Sequence, residues 1–241
     1  MWQAMLMAAD VPNSHQIIVN GFITAEGGVR MSKSLGNGVD PKDIVDEYGT
    51  DALRYFLLRE VGSFEDSPFT LERFKDAYNS GLANGLGNLV SRIMTLSERY
   101  INKRVVELIV EDVQSIGMNK FLSIALENFD LHTACNMIWS DITKLDKKIA
   151  EEEVFKVVKV DKEKAEKMFT DKPIHKEFLN SDNPSKVIIT DIDIEKENIG
   201  YLWKLAVIAC ELEAFLPDTS KKIIEIMKEN KKPGQPLFLR K

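Results

Sequence analysis

Apolar positions along this chain follow two periods. From Gln16 to Thr24 the run Gln-Ile-Ile-Val-Asn-Gly-Phe-Ile-Thr is rich in β-branched residues and predicts a strand. Ala25-Glu26-Gly27-Gly28 follows as a turn, so Val29-Arg30-Met31 is expected to pair back as the second arm of a hairpin. Met1 to Ala9 reads as the end of a helix. Beyond residue 40 the spacing becomes helical. Asp40 and Pro41 form a helix start, with a capping carboxylate and proline at the first helical position, and Gly49 ends that short helix. Thr50 is the expected cap of the next one, where Leu53, Phe56 and Leu57 fall at i, i+3 and i+4 and define a buried face.

The stretch Val61 to Pro68 carries glycine, serine, aspartate and proline and marks a boundary. From Thr70 onward the pattern is helical almost to the end. Leu71 to Ile101 predicts one long helix whose first half holds small residues (Ala77, Ser80, Gly81, Ala83, Gly85, Gly87), permitting close packing or a kink. Phe121 to Ile149 and Ile199 to Phe215 predict two more amphipathic helices. Asp218 or Thr219 is expected to cap a last one ending near Asn230. A helical bundle follows. Asp161 to Glu197 is charged, holds Pro173 and Pro184, and includes the apolar patch Val187-Ile188-Ile189; it reads as an insertion with a short strand or hairpin.

With 241 residues, 44% of them hydrophobic, the chain suffices for one large domain or two small ones. No apolar run approaches the roughly 20 residues of a membrane span, and the first residues do not read as a secretory leader, so the expected location is the cytoplasm and no membrane partner is expected. Cys135 and Cys210 lie in apolar helical context without a CxxC pair, which predicts buried thiols. His15, His132 and His175 show no metal or catalytic spacing, and no metal ligands are assigned. Trp139 and Trp203 sit on amphipathic faces and read as core. A net charge of −6 argues against non-specific coating of nucleic acid, although Arg92, Arg99, Lys103 and Arg104 recur at spacings that suit a local basic stripe.

One short stretch carries the chemistry. Arg30-Met31-Ser32-Lys33-Ser34, followed by Leu35-Gly36-Asn37-Gly38, places a lysine and two hydroxyls on a glycine-flanked loop suited to handling phosphate. It closely resembles the lysine-methionine-serine-lysine-serine signature of class I aminoacyl-tRNA synthetases, with arginine in place of the first lysine. The likeness extends along the chain. Trp2 to Ala9, Gly21-Phe-Ile-Thr24, Arg30 to Asn37, Asp51 to Arg59, Asn84 to Arg92, Asn136-Met-Ile-Trp139 and Pro236 to Arg240 follow the order and spacing of the methionyl-tRNA synthetase family. Asp161 to Glu197 has no clear counterpart.

That resemblance implies a fold class that is mainly α: residues 1–68 would be the C-terminal remnant of an α/β Rossmann-type catalytic domain with its connecting helices, and residues 69–241 a helical-bundle anticodon-binding domain, with 161–197 as the insertion. It implies ATP-dependent charging of tRNA(Met) through methionyl-adenylate, with ATP and methionine as substrates, Mg²⁺ as the accompanying ion and a monomeric enzyme. Lys33 would contact the transition state, Arg30, Ser32 and Ser34 would complete the ATP loop, and Met31 would pack the loop against the domain. Asn88 and Arg92, four residues apart on one helix face, match the family's anticodon-reading pair. Phe155 stands where the family has a tryptophan after proline. The family's histidine-isoleucine-glycine-histidine motif and methionine pocket have no counterpart in these 241 residues, so the chain is expected to correspond to a C-terminal half, inactive alone. A non-catalytic tRNA-binding module, or another class I synthetase of the Leu, Val, Ile or Cys group, remains the alternative.

Overall fold

The computed structural model describes residues 1–116, 120–151, 159–161, 186–188 and 192–241. Among these the chain is mostly helical, with two small strand pairs. Helix α1 (Trp2–Ala8) buries none of its residues. The predicted strand over residues 16–24 is largely absent: only Ile23–Thr24 (β1) is strand, and it pairs in parallel with Ser67–Pro68 (β2). Ile17 and Val19 stay 67% and 75% exposed, so they lack the buried face that makes β-branched residues favourable in a sheet. The expected hairpin likewise shrinks to one antiparallel bridge between Thr24 and Arg30, closed by a tight turn over Glu26–Gly28.

Helix α2 (Pro41–Tyr48) forms as its sequence dictates, with the Asp40 carboxylate accepting from the Lys42 N–H at 2.8 Å and Gly49 ending it. Helix α3 (Thr50–Tyr55) runs on through a wide π turn, Phe56–Glu60. Thr50 does not cap it; Gly49 precedes the helix and Thr50 is its first residue. The long helix predicted over 71–101 is continuous but wound in three ways: α4 (Leu71–Ala77), π turns over Tyr78–Gly87, then α5 (Asn88–Tyr100). Gly81 shows why small residues cluster there. A methyl group on it would collide with the hydroxyl and ring of Tyr55, so α3 and the π segment touch backbone to side chain.

Ile101 and Asn102 break the path before α6 (Lys103–Ile116). The basic stripe suggested by the sequence is therefore divided between two helices, and Lys103 and Arg104 turn to Glu107 on their own helix. Helix α7 (Lys120–Glu127) and helix α8 (Leu131–Glu151) replace the single helix predicted over 121–149. Phe129 adopts a positive φ of 58°, and Asp130 starts α8 by accepting from the Thr133 N–H at 3.0 Å. Lys159–Asp161 (β3) and Lys186–Ile188 (β4) pair antiparallel; β4 lies inside the stretch 161–197 expected to hold a short strand or hairpin, whereas β3 begins before it and reaches it only at Asp161. Helix α9 (Ile192–Leu212) starts earlier than predicted, and α10 (Pro217–Glu229) ends at Asn230, whose φ of 50° is left-handed.

The start of α10 corrects another expectation. Neither Asp218 nor Thr219 caps it; Pro217 is its first residue, and the Thr219 N–H donates at 2.6 Å to Asp51 on α3, 168 residues away. Arg54 adds to this seam by donating to the Phe215 and Ala214 carbonyls at 2.6 and 3.1 Å. The bundle closes around α9, which touches α5, α6, α8 and α10. Its core is continuous with an aromatic run from α2 to the tail: Tyr48 meets Phe74 and Tyr78 edge-on, Phe74 meets Phe56, and Tyr78 meets Phe238. The last residues lie along the π segment, with the Tyr78 hydroxyl donating to Leu239 O at 2.9 Å and Asn79 exchanging two bonds with the Lys241 backbone. Cys135 is fully buried and Cys210 half-buried. Trp139 is core, whereas Trp203 is 43% exposed, against the sequence expectation.

Candidate functional site

The phosphate-type loop leaves β1 by the Thr24–Arg30 bridge and enters α2 through Asp40. Between these fixed ends it is organised by its own side chains. Asn37 closes it, accepting from the Ser32 N–H at 2.9 Å and donating to the Arg30 carbonyl at 3.2 Å. Ser32 and Ser34 bring their hydroxyls to 3.3 Å, and the Leu35 N–H points back to Ser32 Oγ at the same distance. Lys33 opens the single 3₁₀ turn Lys33–Leu35, and Gly36, at φ 62°, supplies the left-handed step that lets Asn37 fold back. Met31 packs on the core, as expected from its apolar side chain. The exposed Arg30 guanidinium lies 5.3 Å from the centre of the Phe22 ring, a cation–π position.

The loop thus carries two hydroxyls and a guanidinium on a frame of three backbone–side-chain bonds and one hydroxyl–hydroxyl contact. Neutral donors and cations suit an anionic phosphate. Among the described residues no three His, Cys, Asp or Glu side chains come together to hold a metal ion.

The second candidate region lies on the bundle. Asn88 is exposed at the first position of α5, and Arg92 follows one turn later on the same face. The structure pairs Arg92 with Asp146 of α8, through Nη1 and Oδ1. Both partners keep surface, 30% and 43% of their side chains. Phe155, the third residue singled out in the sequence, lies outside the described residues.

A packed knot joins the Phe56–Glu60 turn to α8. Tyr55 packs against Trp139 with ring centres 4.7 Å apart and the rings tilted by 41°, and Arg59 bonds the Tyr55 hydroxyl while lying 5.4 Å over Trp139. Burial pushes the Tyr55 phenol and the Cys135 thiol beside it up to about 12 each, against the opposing pull of the Arg59 charge. Neither group ionises near neutrality, which makes this a packing element rather than a nucleophile site.

Two residues that hold these regions escape sequence reasoning. Asn37 had a signal, an Asx residue between two glycines, the usual maker of side-chain turns. Asp146 had none, because its partner is 54 residues away on another helix.

Comparison with known proteins agrees with the loop. Residues 1–94 match the family described as tRNA synthetases class I (M). The chain is 40% identical over 158 residues to the methionine–tRNA ligase of Caldanaerobacter subterraneus subsp. tengcongensis, covering 63% of this chain and 25% of that protein. Methionine–tRNA ligase 1 of Bacillus anthracis is 35% identical over 175 residues, 69% of this chain and 26% of the relative. The chain therefore spans about a quarter of the length of the curated relatives it matches. In fold, it resembles Mycobacterium tuberculosis methionyl-tRNA synthetase in complex with methionyl-adenylate, at a TM-score of 0.63 and 20% identity, over 93% of this chain and 40% of the other. No helix among the described residues is long and apolar enough to cross a membrane.

Proposed function

We propose that this chain serves a methionine–tRNA ligase, supplying the loop that closes on ATP and the helical surface that reads the anticodon of tRNA(Met). One observation carries it: the loop Arg30–Ser34, braced by Asn37 between β1 and α2, falls within the residues matched by the class I family. In this assignment residues 1–68 are a Rossmann-type remnant with its connecting helices, and residues 69–241 form the anticodon-binding bundle. The reaction takes place in the cytoplasm, and the enzyme is a monomer.

The chemistry follows from charge. Attack of the methionine carboxylate on the α-phosphate of ATP builds negative charge on the departing pyrophosphate, and placed donors and cations lower that barrier. Lys33 supplies a cation to the transition state, Ser32 and Ser34 donate hydroxyl hydrogen bonds, and Arg30 adds a second charge in the planar geometry of a guanidinium. Mg²⁺ accompanies the nucleotide and neutralises phosphate charge when bound. Asn88 and Arg92 donate to base edges of the anticodon loop, and Phe155 stacks on a base.

The 241 residues alone are expected not to form adenylate, because the loop has a nucleotide to close on only when a nucleotide-binding domain is present. Eleven of the twenty exposed large hydrophobics among the described residues lie in residues 1–35, including Trp2, Met5, Ile17, Val19 and Phe22, a density that fits cover by such a domain. The test is binding of fluorescent stem-loop RNAs to the 241-residue protein at fixed salt. A CAU loop should bind about tenfold or more tightly than a loop with all three anticodon bases changed, in line with the cost of lost base contacts. Equal binding of the two overturns the anticodon assignment.

A further inference from the structure

The geometry points to Asp146 as a specificity-determining residue, the acceptor half of a composite site that selects cytosine over uracil at the base read by Arg92. This rests on the anticodon-reading assignment of α5 given above. The ion pairs Lys144–Asp141 and Lys147–Glu151 lie within one helix, three or four residues apart, as charges on a solvated face usually do. Arg92–Asp146 differs. It joins α5 to α8 across 54 residues, and both side chains still reach solvent. A half-exposed pair of this kind contributes little to folding, which leaves its arrangement open to selection for another task.

Its chemistry is directional. A guanidinium carries only donors and a carboxylate only acceptors, so together they present a donor beside an acceptor. The Watson–Crick edge of cytosine offers the complement, an amino donor on C4 followed by acceptors at N3 and O2. The Asp146 carboxylate would take the amino hydrogen, while Arg92 donates to N3 and O2. Uracil reverses the first two positions. Its O4 would face the carboxylate with no hydrogen between them, and its N3–H would face the guanidinium, leaving two groups unpaired. Adenine shares the amino-then-nitrogen order but places a carbon-bound hydrogen where cytosine has O2, so it loses one contact. Asn88, exposed one turn away on the same face, lies next to the same space.

The test uses the 241-residue protein and two stem-loop RNAs differing only in the first anticodon base, CAU and UAU, with affinities measured by fluorescence anisotropy. The wild-type protein should prefer CAU by at least about fivefold, the lower end for one bidentate base contact. Asp146→Ala should reduce that preference to less than about twofold, mainly by weakening CAU. Asp146→Asn, which can donate as well as accept, should narrow it by strengthening UAU. Thermal midpoints of both variants are measured alongside, and a folding defect alone would weaken both RNAs together and keep their ratio. A wild-type ratio in Asp146→Ala, with the ratio lost in Arg92→Ala, overturns the role of Asp146 and leaves the anticodon assignment standing. A wild-type protein that binds both RNAs equally and also ignores the remaining anticodon bases overturns both.

Discussion

Replacing Gly81 by alanine tests whether the seam between α3 and the π segment is as tight as the structure shows. In an open helix position the change would stabilise by up to about 1 kcal/mol, because alanine is the better helix former. At Gly81 the added methyl meets the Tyr55 hydroxyl and ring. Tyr55 is 1% exposed, its ring rests on Trp139, and its hydroxyl is held by Arg59, so no rotamer takes it out of the way. Overpacking of this kind costs roughly 1–3 kcal/mol. Set against the full helix gain, the net loss is about 0–2 kcal/mol, or a thermal midpoint lowered by up to roughly 8 °C for a chain of this size. Gly200→Ala is the control, since its methyl would meet nothing within 4 Å on α9. Urea unfolding followed by tryptophan fluorescence reports directly, with Trp139 buried beside Tyr55. Gly81→Ala in a Tyr55→Leu background should cost less than in the wild type, as expected for residues in contact. If Gly81→Ala proves as stable as Gly200→Ala, the tight seam is refuted.

Asp51→Ala should lower unfolding free energy by about 2 kcal/mol, because the buried Thr219 N–H loses its acceptor at the start of α10; a change below about 0.5 kcal/mol in urea titration would contradict it. Stability should be level below about pH 9 and fall as pH climbs toward about 12. Cys135 and Tyr55 are both held protonated in the fold above their ordinary values of 9.0 and 10.0, so the unfolded chain releases their protons first. Cys135→Ala should flatten the early part of that decline, read from denaturation midpoints across the alkaline range. Lys33→Ala, in an enzyme with its nucleotide-binding domain, should slow adenylate formation about 100-fold or more, and unchanged pyrophosphate exchange would remove Lys33 from the reaction.

Local signals carried far in this sequence. Asp40-Pro41 and Gly49 set both ends of α2, and the 3.6-residue spacing located most of the bundle, because capping and amphipathicity are short-range properties. The loop was legible from residue type alone. What failed depended on partners remote in sequence. The β-branched run over 16–24 predicts a strand, yet strand formation needs a neighbour, and only Ile23 and Thr24 have one, at Ser67 and Pro68. The cap of α10 comes from Asp51 rather than from Asp218 or Thr219, a substitution that no window around residue 218 can show. The break at Phe129 between α7 and α8 has no glycine or proline to mark it, and its one local signal is Asp130, the cap of α8.

The π turns over Tyr78–Gly87 also act as a phase setter. Each residue of an α-helix advances about 100° around the axis, and a π turn takes up surplus residues without that regular advance. Gly81 facing Tyr55 and Arg92 facing Asp146 are eleven residues apart on one unbroken helical path, and their relative azimuth is fixed by how many residues the wide turns absorb. The tail, bonded at Tyr78 and Asn79 and packed on Gly87 through Phe238, clasps both ends of that segment. Deleting a single residue there would preserve every side chain named in both regions and still swing Asn88 and Arg92 about a quarter-turn away from α8. The spacing between the seam and the proposed RNA-facing surface is thus encoded as a residue count, and insertions or deletions in this segment would be felt more sharply than most substitutions within it.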